Sequence, residues 1–210
     1  MPTTTFYNLT QTKREKLISA AKKEFSSTSY NEASINKIIK DAEIPRGSFY
    51  MYFQDKKDLF LFLCGNYINQ IYSRIKHISE TSNQDIFSVY IAFYDSTLEY
   101  LNAYKDEARI LKNLYRCLHS THLDNHDEIS LQDLLNIREK LSKDGNIFES
   151  CNRENLKIKS EEDFEDLNGV LRSITKNSLK EALRNTEEFS KSRIRFINKI
   201  NMVKYGVLNK

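Results

Sequence analysis

The chain has little that bends or crosslinks a backbone: 2 prolines, 5 glycines and 3 cysteines in 210 residues. So few helix breakers leave room for long uninterrupted helices. Cys64, Cys117 and Cys151 are odd in number and widely spaced, which argues against a disulfide framework. No apolar run approaches the ~18 residues of a membrane span. No N-terminal hydrophobic stretch suggests export, so a reducing cytoplasm is the expected location and no membrane partner is expected. Internal repeats and low-complexity segments are also missing. So are a Ser/His/Asp arrangement, a glycine-rich phosphate loop and a paired-carboxylate pattern, and with them any sequence ground for an enzyme or a cofactor. An excess of one charge is nearly lacking, at a net +3, but its placement is informative. Residues 1–60 hold 10 Lys+Arg against 7 Asp+Glu, while the rest of the chain balances at 22 of each. The positive excess therefore lies wholly in the first part, as a polyanion-binding module would have it.

What is present there is a pair of short helices. Ser34 is a good N-cap, and Ile35, Ile38, Ile39 and Ala42 fall at helical spacing. Glu43-Ile44 makes a turn, and Pro45 sits where a first helical residue tolerates proline. Arg46-Gly47-Ser48 open the second helix; Phe49, Tyr50 and Phe53 close it. Two helices joined by a turn of a few residues, with small and polar groups opening the second, form a helix-turn-helix. A preceding helix is expected from a capping box at Thr12–Glu15 followed by Leu17, Ile18, Ala20, Ala21 and Phe25. Ile35, Ile38, Ile39, Ile44, Phe49 and Phe53 are expected in the core. Arg46, Ser48, Met51 and Tyr52 are candidates to face bases, Arg46 foremost because its fork can pair both acceptors of guanine. Ser34, Asn36, Lys37, Tyr50 and Lys56 are candidates to hold phosphates, with Gly47 completing the DNA-facing set.

Leu17, Ala21 and Phe25, the stretch SINKIIKDAEIPRGSFYMYF, and Lys56, Asp58 and Leu59 together resemble the TetR family of bacterial transcriptional regulators. The resemblance is specific over about residues 12–62; beyond that it rests on length and helical organisation. It implies the same division of base and phosphate contacts at the matching positions. This sequence departs from the family at Ile39, where a small residue is usual, and at Ser29 and Glu43, where glycine is usual. A non-glycine residue with φ > 0 in the turn would cost about 1 kcal/mol.

The remainder reads as further helices over about 55–78, 85–104, 106–118, 128–142, 160–186 and 189–205. Asp55 can cap the first of these. Near-heptad apolar positions on the last two suit a bundle seam, and Leu167, Leu171, Ile174, Phe196, Ile197 and Ile200 are expected to form a dimer interface there. By spacing alone the aromatics of helix 85–104 are ordinary core. The family resemblance implies an effector pocket among helices matching 55–78, 85–104 and 128–142, with Tyr67, Tyr90, Phe93, Tyr94 and Thr97 as lining candidates. Cys117, His119, His122 and His126 invite a metal reading, but LDNHDE argues against a continuous helix there and no metal is assigned.

These features imply an all-α protein with two domains. Residues 1–55 would bind DNA, and residues 56–210 would dimerise and bind an effector. The expected function is a ligand-responsive regulator, a repressor, whose homodimer binds a palindromic double-stranded operator and is released by a small, largely apolar effector. A DNA-bound accessory or structural factor without a ligand, and a helical enzyme or carrier, remain the alternatives.

Overall fold

The computed structural model describes residues 2–81, 85–117, 129, 151–184 and 188–207. Among them the secondary structure is all-α, apart from isolated bridges such as the parallel one between Asp85 and Asn152. The helices are α1 (Thr4–Tyr7), α2 (Gln11–Ser27), α3 (Ile35–Asp41), α4 (Arg46–Tyr52), α5 (Lys56–Thr81), α6 (Ile86–Ala103), α7 (Lys105–Cys117), α8 (Glu161–Arg184) and α9 (Phe189–Val207). The expected helix 128–142, apart from the buried Ile129, and the three candidate metal histidines lie outside the described residues.

The chain forms two compact units, one of residues 1–69 with 104–141 and one of 70–103 with 142–210. In the first, Leu17, Ala21 and Phe25 of α2, Ile38 of α3, Phe49 of α4, Phe53 just after it, and Leu59, Phe60 and Leu63 of α5 are all buried. Rings fill the interior: Phe6 meets Phe53 at 5.0 Å and Phe60 meets Phe25 at 4.9 Å, all in edge geometry. Ile35, Ile39 and Ile44, expected in the core, are only half-buried. Helix α7 packs along α2. Its Asn113 amide donates to the carbonyls of Phe25 at 3.0 Å and Thr28 at 2.7 Å, capping the end of α2 from outside.

Local signals held at some helix ends and not at others. Asp55 caps α5 by accepting the Asp58 N–H at 2.7 Å. The Thr12–Glu15 capping box does not form. Thr10 takes the N-cap position with a non-helical backbone and residue 11 already starts the helix, so Thr12 lies inside the first turn, while Glu15 accepts from the Gln11 side-chain amide at 2.8 Å. Pro45 is likewise one position earlier than expected, at the N-cap of α4.

The second unit contains α6, α8 and α9. Tyr94 of α6 stacks on Phe196 of α9 with ring centroids 4.0 Å apart. Asp95 grips Arg193 through two bonds of 2.7 Å, a paired fork that fixes α6 against α9. The seam expected to face a second copy closes instead within the chain. Leu167, Leu171, Phe196 and Ile200 are buried in the protomer and Ile174 and Ile197 half-buried, because α6 supplies the apolar partner face. Heptad-like spacing gives a helix an apolar stripe; it does not say which neighbour covers it.

Candidate nucleic-acid interface

The turn between α3 and α4 is set by Glu43, which takes φ +53°, the left-handed value expected where glycine would be cheaper. Its N–H bonds back to the Lys40 carbonyl at 3.1 Å and that of Ile44 to Ile39 at 3.0 Å. These bonds close α3 and turn the chain into α4. Phe49 and the Phe53 that follows the helix are driven inward. The opposite face, Arg46, Gly47, Tyr50 and Met51, is left outward, with Tyr50 47% and Met51 57% exposed. Ser48 and Tyr52 lie half-buried at its edges. A side chain added at Gly47 would meet nothing within 4 Å, so nothing inside this protein requires glycine there.

Beside this face stands the start of α3. Asn36 and Lys37 are exposed, and Ser34 occupies the N-cap position. The Ser34 hydroxyl makes no cap bond. Its N–H donates to Glu24 Oε1 at 3.0 Å, and Lys37 Nζ reaches Glu24 Oε2 at 2.9 Å. Glu24 is buried at 5% exposure, so its carboxylate is a fixed post that ties α3 to α2. Lys56 is occupied as well: Nζ donates to the carbonyls of Asn31 at 3.2 Å and Ala33 at 3.3 Å, and lies 4.8 Å above the Tyr30 ring. An ammonium has three donors, so one is left for a further acceptor. Arg46 Nη1 donates to Asn36 Oδ1 at 2.9 Å, which brings a base candidate and a phosphate candidate together.

The effector candidates are split between the units. Tyr90, Tyr94 and Thr97 share the buried face of α6 and Phe93 is half-buried beside it, whereas Tyr67 is buried in the other unit with Lys22 at 5.3 Å from its ring. Tyr90 donates to Asn168 Oδ1 at 2.5 Å and Tyr94 to the Ser178 carbonyl at 3.4 Å. Burial pushes both phenols up to about 12, so both are neutral donors at ordinary pH. Their partners are protein groups, so the phenols by themselves do not argue for a cavity.

Sequence reading missed Glu24, Asn113 and Asp85. Glu24 had a signal, since it lies seven residues from Leu17 on the apolar face of α2. Asp85 accepts the N–H groups of Phe87 at 3.0 Å and Ser88 at 3.2 Å and so caps α6, a role its place just before the apolar run also offered. Asn113 had none, because its partners are distant carbonyls. Among the described residues no group of three or more His, Cys, Asp or Glu is placed to hold a metal ion. Among them, too, no helix is long and apolar enough to cross a membrane.

The comparisons with known proteins agree with this geometry. Residues 17–63 match the family described as bacterial regulatory proteins, tetR family. Residues 85–207 match the tetracyclin repressor-like C-terminal domain. The chain is 28% identical over 104 residues to an uncharacterized HTH-type transcriptional regulator, YdgC, of Bacillus subtilis strain 168; the match covers 46% of this chain and 51% of the relative. A second such regulator of that organism, YuxN, is 35% identical over 66 residues, 31% of this chain and 23% of the relative. The chain thus matches about half the length of the first curated relative and less of the second. In fold it is similar to the transcriptional regulator FadR from Bacillus subtilis, solved in complex with stearoyl-CoA, with a TM-score of 0.59, 15% identity and coverage of 89% of this chain and 96% of that one. An outward helix face beside a glycine-like turn, on a three-helix base followed by a helical second part, accords with both matched regions: the chain belongs to the TetR family of bacterial regulatory proteins, DNA-binding regulators of transcription.

Proposed function

We propose that the chain acts as a homodimeric repressor that binds a palindromic operator and releases it when a small, largely apolar effector binds. The observation that carries the DNA reading is the outward row Arg46, Gly47, Tyr50 and Met51 on a helix whose other face is pinned by Phe49. In this reading Arg46, Ser48, Met51 and Tyr52 face base edges. Ser34, Lys37, Tyr50 and Lys56 hold phosphates, and Gly47 lets the backbone approach. The division of labour at residue 55 belongs to the same proposal. A single seven-residue recognition helix buries too little surface for tight specific binding, so two copies related by a two-fold axis are needed.

The dimer surface is relocated to the outer faces of α8 and α9. Val170, Ile194, Met202 and Tyr205 are 48%, 60%, 76% and 75% exposed, and Val170 and Ile174 flank Gly169 and Ser173 in an open groove of about 540 Å³. Small residues there permit close helix approach, and exposed apolar side chains on both helices are what a second copy would cover in this reading. Effector response rests on the family and on the similar FadR, which was solved with a ligand carrying a long acyl chain. Tyr67, Tyr90, Phe93, Tyr94 and Thr97 stay its candidate contacts.

Retention of genomic DNA fragments by the purified chain tests the reading. A recurring palindrome with half-sites about one helical turn apart supports it, while uniform retention of all duplexes excludes specific regulation.

A further inference from the structure

Asn36 was expected at a phosphate, yet its side chain is turned toward Arg46. The bond fixes the direction of both groups. An arginine only donates, so Asn36 presents Oδ1 to Nη1 across 2.9 Å and its NH₂ faces away. Arg46 keeps four of its five N–H groups, among them the Nε/Nη2 edge, which is sufficient for the paired contact to guanine O6 and N7. Asn36 is the second residue of α3 and Arg46 the first of α4, so the bond spans the turn that Glu43 shapes. Its base is firm, because Glu24 holds the Ser34 N–H and the Lys37 ammonium on either side of Asn36. A free arginine loses rotamer freedom when it docks; one already restrained loses less and points one way. Being neutral, asparagine does this without cancelling the charge that draws the guanidinium to DNA.

We infer that Asn36 is a positioning residue for base recognition, holding the Arg46 guanidinium by the Nη1–Oδ1 hydrogen bond so that its remaining edge reads one guanine per half-site. The inference rests on the reading of α4 as the recognition helix.

The test is selection of a randomised duplex pool by the full-length chain and its Asn36→Ala, Asn36→Asp, Arg46→Ala and Asn36→Ala/Arg46→Ala variants. Both side chains are exposed, so all four are expected to fold. Arg46→Ala should flatten one base position per half-site by about 5- to 150-fold. Asn36→Ala should flatten that same position by about 3- to 10-fold and add nothing to Arg46→Ala. Asn36→Asp keeps the acceptor, so it should keep the base preference while lowering affinity for all duplexes through phosphate repulsion. Three outcomes overturn the inference alone: unchanged preference in Asn36→Ala, with or without a uniform loss of affinity, a change at a different base position, or additivity with Arg46→Ala. Unchanged preference in Arg46→Ala instead removes the assignment of Arg46, and the inference with it.

Discussion

At the scale of single residues, affinity and stability need not move together on the α4 face. Gly47 carries the helix-propensity cost of glycine and its Cβ position is open. Gly47→Ala should therefore raise stability by about 0.5–1 kcal/mol while weakening operator binding, because the added methyl stands where the backbone would meet DNA. Thermal unfolding and a binding titration on the same sample check both halves, and unimpaired binding would move the contact surface away from Gly47. Lys56 combines two tasks, since it holds the carbonyls of Asn31 and Ala33 and keeps one donor for a phosphate. Lys56→Ala should weaken binding to all sequences alike and reduce the magnitude of the log–log salt slope by about 1. A loss of affinity with the slope unchanged would confine Lys56 to holding the loop. Glu24→Ala removes a buried acceptor from Ser34 and Lys37 and should cost about 1.5–3 kcal/mol in denaturant unfolding.

Helices are where local chemistry can be titrated. Asp85 is partly buried, which raises its pKa, but the Ser88 hydroxyl and N–H, Lys204 and the Phe87 N–H outweigh that and leave the carboxyl below its ordinary range. A folded value below the unfolded one means that the stabilisation is complete above the unfolded pKa of about 3.9 and is lost as pH falls through the folded value. Asp85→Ala should cost about 0.5–2 kcal/mol near neutrality, and the gap from the parent should close in that acid window. A gap that persisted at the acid end would assign the effect to packing instead of the cap. Helix ends also show what was legible beforehand. The α3–α4 turn could be read because its information is local: a Pro, a left-handed position at Glu43, and inward aromatics within eleven residues. The Thr12–Glu15 box misled because Thr10 offered the chain an earlier start. The stripe of Leu171, Phe196 and Ile200 was legible as apolar, but its cover, α6, lies far away in sequence. Asn36 was legible as polar and outward; its bond to Arg46 depended on how the turn folds α4 back beside α3.

At the scale of the whole molecule, the expected assembly is a dimer joined through the outer faces of α8 and α9. Met202→Glu places a charge on an exposed apolar site without touching the core, so sedimentation should report monomers with unaltered helical content and weak operator binding. A dimer that survives would put the interface elsewhere. Leu171→Glu tests something different, because Leu171 is fully buried and the substitution should unfold the second unit. The link from Asn113 to the carbonyls of Phe25 and Thr28 bears on how such a protein can be taken apart. Helix α7 comes from the C-terminal matched region, yet it satisfies the last turn of a helix in the N-terminal one. Residues 1–55 are therefore a poor cassette. Grafted onto the body of another regulator, they lose the Asn113 bonds to both carbonyls, and transplants that carry residues 105–117 along should be more stable in denaturant unfolding than shorter ones by about 1–3 kcal/mol.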